Sequence, residues 1–343
     1  MSAKLDFLKR KLSKTLSRAA PADFFAMIWS VRAIQSGETA AAGFFENFPP
    51  EALDQRIDNS SAIHPWELES LTNLYLQSKP NLDRTGKYTI ANCQNFETIR
   101  CLINIIRDIE NEQYAKTANK SHIFFEMTRI GYRQFAWQRT YVNTFQFYRN
   151  RFIYDDIEIQ NIFYKTYGLE LKSFFLLGFY LYSLFRSTLY VPQNFNFESK
   201  EISDHIKNKT LQIIATALDA AKLDARKSAA RSTQTLGHDY IAYRESTLRR
   251  RPVLQLGHFR DQLSCPIPDF LVLRITEGIY YDLVSLDNYR SKITNIIGLR
   301  FEKYAKTIFE KWTENCTTHQ NNPISIRDRR YAGVDLICKT QKY

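Results

Sequence analysis

A chain of 343 residues is long enough for one large domain or two ordinary ones, and with 44% hydrophobic and 24% charged residues it is not a disordered polymer. Only 11 Gly and 10 Pro punctuate it, which favours long helices over many short strands, and the net charge of +11 draws phosphate polymers whatever their sequence. The cysteines (Cys93, Cys101, Cys265, Cys316 and Cys338) are odd in number and lack Cys-x-x-Cys spacing, so a disulfide framework and a zinc knuckle are excluded and free thiols in a reducing, cytoplasmic setting are expected.

The first twenty residues, MSAKLDFLKRKLSKTLSRAA, place Leu5, Leu8, Leu12 and Leu16 on one helical face, with Lys9, Arg10, Lys11 and Lys14 elsewhere. Basic residues interrupt the apolar ones, so no secretory h-region exists. Such a helix suits a membrane surface or nucleic acid, or it packs by its leucines; packing is the expectation. FETIRCLINIIRDIENE carries Ile99, Leu102, Ile103, Ile105 and Ile106 on a helical stripe. Pro49-Pro50, NSSAIHP and KPNLDRTGK read as loops.

Further on, GYRQFAWQRTYVNTFQFYRNRFIYDD interleaves Tyr132, Phe135, Trp137, Tyr141, Phe145, Tyr148 and Phe152 with Arg129, Arg133, Arg139, Arg149 and Arg151. Single-strand binding platforms use that mixture. On a helix, Tyr141, Phe145, Tyr148 and Phe152 instead form a core stripe with arginines reaching outward, and that reading is preferred. The run SFFLLGFYLYSLF lies between Lys172 and Arg186. It is well short of the ~20 residues a bilayer demands, so a buried helix and no membrane association are expected. KTLQIIATALDAAKL continues the helical pattern through Leu211, Ile214, Leu218 and Ala221.

From Ala225 the composition changes to Ser, Thr and basic residues. The expected division is a helical domain over 1–224, a basic connector over 225–251 and a smaller module over 252–343. Arg226, Lys227, Arg231, Arg249, Arg250 and Arg251 are the connector's candidates for guiding nucleic acid. VLQL reads as a short strand, and a helix is expected to begin after Pro268. A further helix is expected over 291–312, its stripe made by Ile293, Ile297, Phe301, Tyr304, Ile308 and Trp312, and GVDLIC reads as a strand. No GxxxxGK[ST], dinucleotide fingerprint, GxSxG elbow or His-Glu-x-x-His occurs, which disfavours nucleotide hydrolysis, NAD chemistry, serine hydrolysis and zinc proteolysis.

The string IIGLRFEKYAKTIFEKW, with Gly298, Phe301, Glu302 and Tyr304, resembles the opening helix of the PD-(D/E)xK, restriction-endonuclease-like nucleases, large bacterial members of which are often anti-phage defence proteins. The resemblance covers roughly residues 250–343. It implies a mainly α chain, whose large helical N-terminal region precedes a small, incomplete α/β endonuclease-like module. It also implies a Mg²⁺-dependent phosphodiesterase, with Glu302 and Asp335 as catalytic and metal-holding carboxylates; the stripe spacing itself puts Phe301 inside and Glu302 half exposed at its edge, facing the 334–338 strand. Such chemistry needs a metal held by carboxylates and substrate phosphate, to polarise the phosphoryl oxygen and acidify an attacking water. One departure stands out: LICKTQKY follows Asp335 without the family's Glu-x-Lys, and Pro268-Asp269 is set aside because Glu277 is followed by Gly-Ile rather than x-Lys. A partner subunit, a second copy or further strands would then complete the site. The alternative reading is a non-catalytic helical sensor or scaffold that binds a protein partner.

Overall fold

The computed structural model describes residues 3–53, 59, 61–117, 124, 127–128, 131, 137, 144–195, 203–218, 225–236, 246–256, 262–312, 316–326 and 329–340, the last two segments by their backbone. The chain is mainly α. In order its helices are α1 Ala3–Arg18, α2 Pro21–Gln35, α3 Pro65–Gln77, α4 Phe96–Thr117, α5 Thr144–Tyr154, α6 Ile157–Tyr167, α7 Leu171–Ser187, α8 Asp204–Ile214, α9 Ala225–Leu236, α10 Asp269–Ile275, α11 Glu277–Val284 and α12 Arg290–Trp312. The strands are β1 Tyr190–Pro192, β2 Ala215–Ala217, β3 Val253–Gln255, β4 Gln262–Ser264, β5 Cys316–Ile326 and β6 Arg329–Thr340.

Two compact units divide the chain differently from the sequence-based domains. The first comprises 1–141 and 173–275, the second 142–172 and 276–343. The reason lies in strand pairing. β3 runs parallel to β2, while β4 runs antiparallel to both β3 and β1, giving a four-stranded sheet of order β1-β4-β3-β2. Residues 252–275, expected in the C-terminal module, therefore complete the first unit's sheet. Ala215–Ala217, expected to continue a helix, leaves it to pair with Val253–Gln255.

Within the first unit, Leu5, Leu8, Leu12 and Leu16 are all buried, as are Ile99, Leu102, Ile103, Ile105 and Ile106 of α4. Helix α2 is buried nearly all round, from Phe24 to Ile34. Phe24 stacks on Tyr75 of α3 with ring centroids 3.8 Å apart. The Trp29 indole donates to the Phe185 carbonyl at 2.7 Å, tying α2 to α7. Helix α7 buries Phe174, Leu177, Leu181 and Phe185. No single described helix is long and apolar enough to cross a membrane.

Gly178 of α7 faces Ile275, and a Cβ there would collide with the Ile275 side chain. Gly178→Ala is accordingly expected to cost about 1–3 kcal/mol through overpacking, read as a lowered urea midpoint, although alanine is the better helix former.

Three arginine–carboxylate pairs reach into this core. Arg32 forks onto Asp269, Arg107 onto Glu67, and Arg249 onto Glu69, every N–O distance lying between 2.6 and 2.9 Å. Glu67 also accepts from the His64 backbone N–H at 2.8 Å, capping the start of α3.

In the second unit, Asp156 caps α6 by accepting from the Glu158 N–H at 3.0 Å. Gly168 ends the same helix at φ +64°, where a side chain would be strained. Tyr154 donates to the Thr276 carbonyl at 3.2 Å, Tyr167 to Asp282 at 2.9 Å, and Gln146 to Glu277 at 2.9 Å. Burial raises the Tyr154 hydroxyl's pKa well above its ordinary value, so it stays a donor. These bonds join 144–167 to 276–284 and explain why the two distant segments form one unit.

Candidate functional site

Helix α12 runs unbroken over Arg290–Trp312, as its periodicity predicts, and leads into the antiparallel hairpin β5–β6. The hairpin pairs Asn322 with Val334 and Gln320 with Leu336, and shifts register between Asn322 and Ile324. Asp335 therefore lies on β6 between two paired positions. Helix α12 approaches both strands and packs on α5.

Two residues fix how α12 is rotated. Arg300 donates to the Phe152 carbonyl through Nε at 3.2 Å and also through Nη2, and its guanidinium lies 4.6 Å over the Phe152 ring. Tyr304 packs on that ring at 5.7 Å. One helical turn apart, they hold one face of α12 on the C-terminal end of α5. Glu302 lies two residues from each, so at about 100° per residue it leaves the opposite side of the helix. It is half-buried there, as its place at the edge of the stripe predicts.

Phe301 corrects the expectation. It was to be buried, and it is 51% exposed. Helix α12 is anchored by Ile293, wholly buried, and by the Arg300–Tyr304 face. Phe301, about 100° from Arg300, falls outside that contact. Leu299, Ile308 and Phe309 are likewise exposed, at 59%, 39% and 41%. Gly298, the position matched to the family's glycine, has open space around it.

Glu302 and Asp335 thus belong to one unit, on a helix and on the second strand of the hairpin that follows it. Among the described residues no group of three or more His, Cys, Asp or Glu side chains could hold a metal ion. Mg²⁺ is usually held by one or two carboxylates together with waters and substrate phosphates, and Glu302 and Asp335 are of that residue type.

The connector's basic residues are placed variously. Arg226 donates to the carbonyls of Tyr75 and Ser78 at 3.2 and 2.8 Å and lies 4.9 Å over the Tyr75 ring, finishing the C-terminal end of α3. Arg251 does the same for α8, donating to Gln212 and Ala215 at 3.0 Å each. Arg249 is committed to Glu69. Lys227 and Arg250 are exposed. The side chain of Arg231 lies outside the described residues, as do Arg129, Tyr132, Arg133, Phe135, Arg139 and Tyr141 of the aromatic–basic segment. Trp137 of that segment is 3% exposed and donates to Glu69 at 2.8 Å, a core role.

Sequence reasoning overlooked Arg32, Glu67 and Glu69, and set Asp269 aside without a role in the core. The available signal was a lone charge inside an apolar run: Arg32 in FFAMIWSVRAI and Asp269 before FLVL. No protein-family model, curated protein or solved structure matches the chain.

Proposed function

We propose that the chain is a phage-defence-type protein acting on nucleic acid, its helix-and-hairpin segment supplying Glu302 and Asp335 to a metal-dependent phosphodiester site. The observation that carries this reading is the order helix, strand, antiparallel strand, with Glu302 half-buried on the helix and Asp335 on the second strand, all in one compact unit. A bound Mg²⁺ would polarise the phosphoryl oxygen and lower the pKa of a water. The chain's own part is to fix the backbone positions from which these two carboxylates are offered. Arg300 and Tyr304 do so for Glu302 by setting the rotation of α12, and the pairs on either side of Asp335 do so for β6. No Glu-x-Lys follows Asp335 in LICKTQKY, where Lys339 and Lys342 lack that spacing, so cutting by these residues alone is expected to be weak.

The test is cleavage of labelled DNA and RNA with Mg²⁺ or Mn²⁺. Glu302→Gln and Asp335→Asn are each expected to abolish whatever divalent-dependent cutting the wild type shows. Glu302→Gln keeps the side chain's size and should leave the melting temperature near wild type, as for most substitutions of partly exposed residues. Cutting at the wild-type rate in both variants would sink the reading.

A second reading has its own observation. Leu299, Phe301, Ile308 and Phe309 expose apolar surface on the same helix, which suits a protein-binding scaffold. Loss of cellular function in Phe301→Ser, with both carboxylates dispensable, would favour it.

A further inference from the structure

The buried leucines of α1 leave its other side to solvent, where Arg10, Lys11 and Lys14 are exposed within one turn of each other. The Ser17 carbonyl near the end of α1 accepts from the Asn81 N–H at 2.7 Å, which fastens the loop 79–89 to that helix. The loop has a defined shape. Leu82 and Tyr88 form an antiparallel bridge, and Gly86 takes φ +77°. One oxygen of Asp83 accepts from the Lys87 and Thr85 N–H groups and from the Thr85 hydroxyl, at 2.7 to 2.9 Å. Those bonds, the Lys87 N–H foremost, hold the Asp83 carboxyl below its usual range. Asp83 stays ionised, one negative charge beside the exposed Lys79, Arg84 and Lys87.

We infer that the outer face of α1 and the 79–89 loop together form a sequence-independent docking surface for a nucleic-acid phosphate backbone. Six exposed cations lie on two elements joined by a hydrogen bond, against the loop's single carboxylate. A duplex offers one negative charge per ~1.7 Å of axis, so its charge density is complementary to the surface. An anionic membrane is the poorer match. Helices that lie on membranes insert a continuous apolar face, and here Leu5, Leu8, Leu12 and Leu16 are consumed by the core, which leaves Phe7 as the single large apolar side chain exposed on α1. The surface lies in the first unit, apart in sequence from Glu302 and Asp335. The inference rests on the reading of the chain as one that acts on nucleic acid, and it relocates the contact from the connector, whose Arg226, Arg249 and Arg251 serve the fold.

The experiment is fluorescence anisotropy of the full chain with a short labelled DNA duplex over a series of salt concentrations. Each neutralised phosphate contributes about 0.9 to the slope of log affinity against log salt. Replacing Arg10, Lys11, Lys14, Lys79, Arg84 and Lys87 with Gln should therefore take up to about 5 off the slope and weaken low-salt binding at least tenfold. The α1 set and the loop set are also replaced separately, each expected to remove about half the effect, so a folding defect in one leaves the other readable. An unchanged slope in all three variants overturns the inference. Binding of wild type to phosphatidylserine vesicles or to polyglutamate, but not to the duplex, overturns it too. The titrations are run in EDTA, so they read the cationic surface and not a metal-dependent site at Glu302 and Asp335. Failure of the cleavage assay thus leaves this surface standing, and an unchanged slope leaves the cleavage reading standing.

Discussion

Asp269→Ala is expected to remove about 3–5 kcal/mol of stability, because it strands a buried guanidinium. Asp269 and Arg32 side chains are 6% and 4% exposed, and both carboxylate oxygens accept from Arg32, at 2.6 and 2.7 Å. The two residues are 237 apart in sequence, so the pair staples α10 to α2 across most of the chain. Nearby groups feel the carboxylate's charge. The Tyr182 hydroxyl is pushed up to about 12, first by burial and then by Asp269. Burial and then Asp269 also raise the Cys265 thiol, which stays protonated. Replacing both partners at once, Arg32→Met with Asp269→Leu, should recover most of the loss, since neither charge is then buried alone. Urea denaturation of the two single variants and the double variant measures this. A double variant as unstable as the sum of the singles would show that the residues act independently.

Glu69→Ala is expected to be comparably severe, at about 3–5 kcal/mol. Glu69 is 5% exposed and accepts four hydrogen bonds. Oε1 takes the Ser246 N–H at 2.8 Å and Arg249 Nε at 2.7 Å; Oε2 takes Arg249 Nη2 at 2.7 Å and Trp137 Nε1 at 2.8 Å. Arg249 and Trp137 also pack on Phe270, at 5.6 and 5.7 Å. Removing the carboxylate leaves a buried indole N–H, a backbone N–H and a charge without their acceptor, and each such loss is costly. Glu69→Gln should be milder, because one oxygen still accepts while the amide nitrogen meets a donor. The thermal melting order wild type, Gln, Ala checks this. Arg249 variants belong in the same series: they report on this hub, so a weakened Arg249→Gln protein says nothing about nucleic-acid contact.

Much of the helical plan was legible in sequence because amphipathic spacing reports directly on burial. The leucines of α1 and the isoleucines of α4 occupy the core where their periods place them. The start of α10 after Pro268 and the extent of α12 follow from proline and from periodicity. What escaped depends on long-range pairing. The 215–217 segment continues a helical pattern yet forms a strand, because Val253–Gln255 offers a parallel partner whose position no local signal reveals. The unit boundary at 275/276 was missed for the same reason. Phe301 fits the stripe of α12, but the stripe does not say how much of a helix its neighbours cover; α5 covers the Arg300–Tyr304 face and leaves Phe301 out. For the candidate site, Glu302's half-buried position was readable from its place at the stripe's edge. The arginines of the connector were not separable by composition, because capping carbonyls, pairing with Glu69 and meeting phosphate all call for the same side chain.

The central claim is that Glu302 and Asp335 belong to one metal site, and the most direct measurement is a crystal structure of the protein soaked in Mn²⁺, with the ion located by its anomalous signal. The account predicts an ion bound by both carboxylates, with metal–oxygen distances of about 2.0–2.6 Å. Carboxylates more than ~10 Å apart cannot share an ion with bonds of that length, and finding them so, with Mn²⁺ elsewhere or absent, would contradict it.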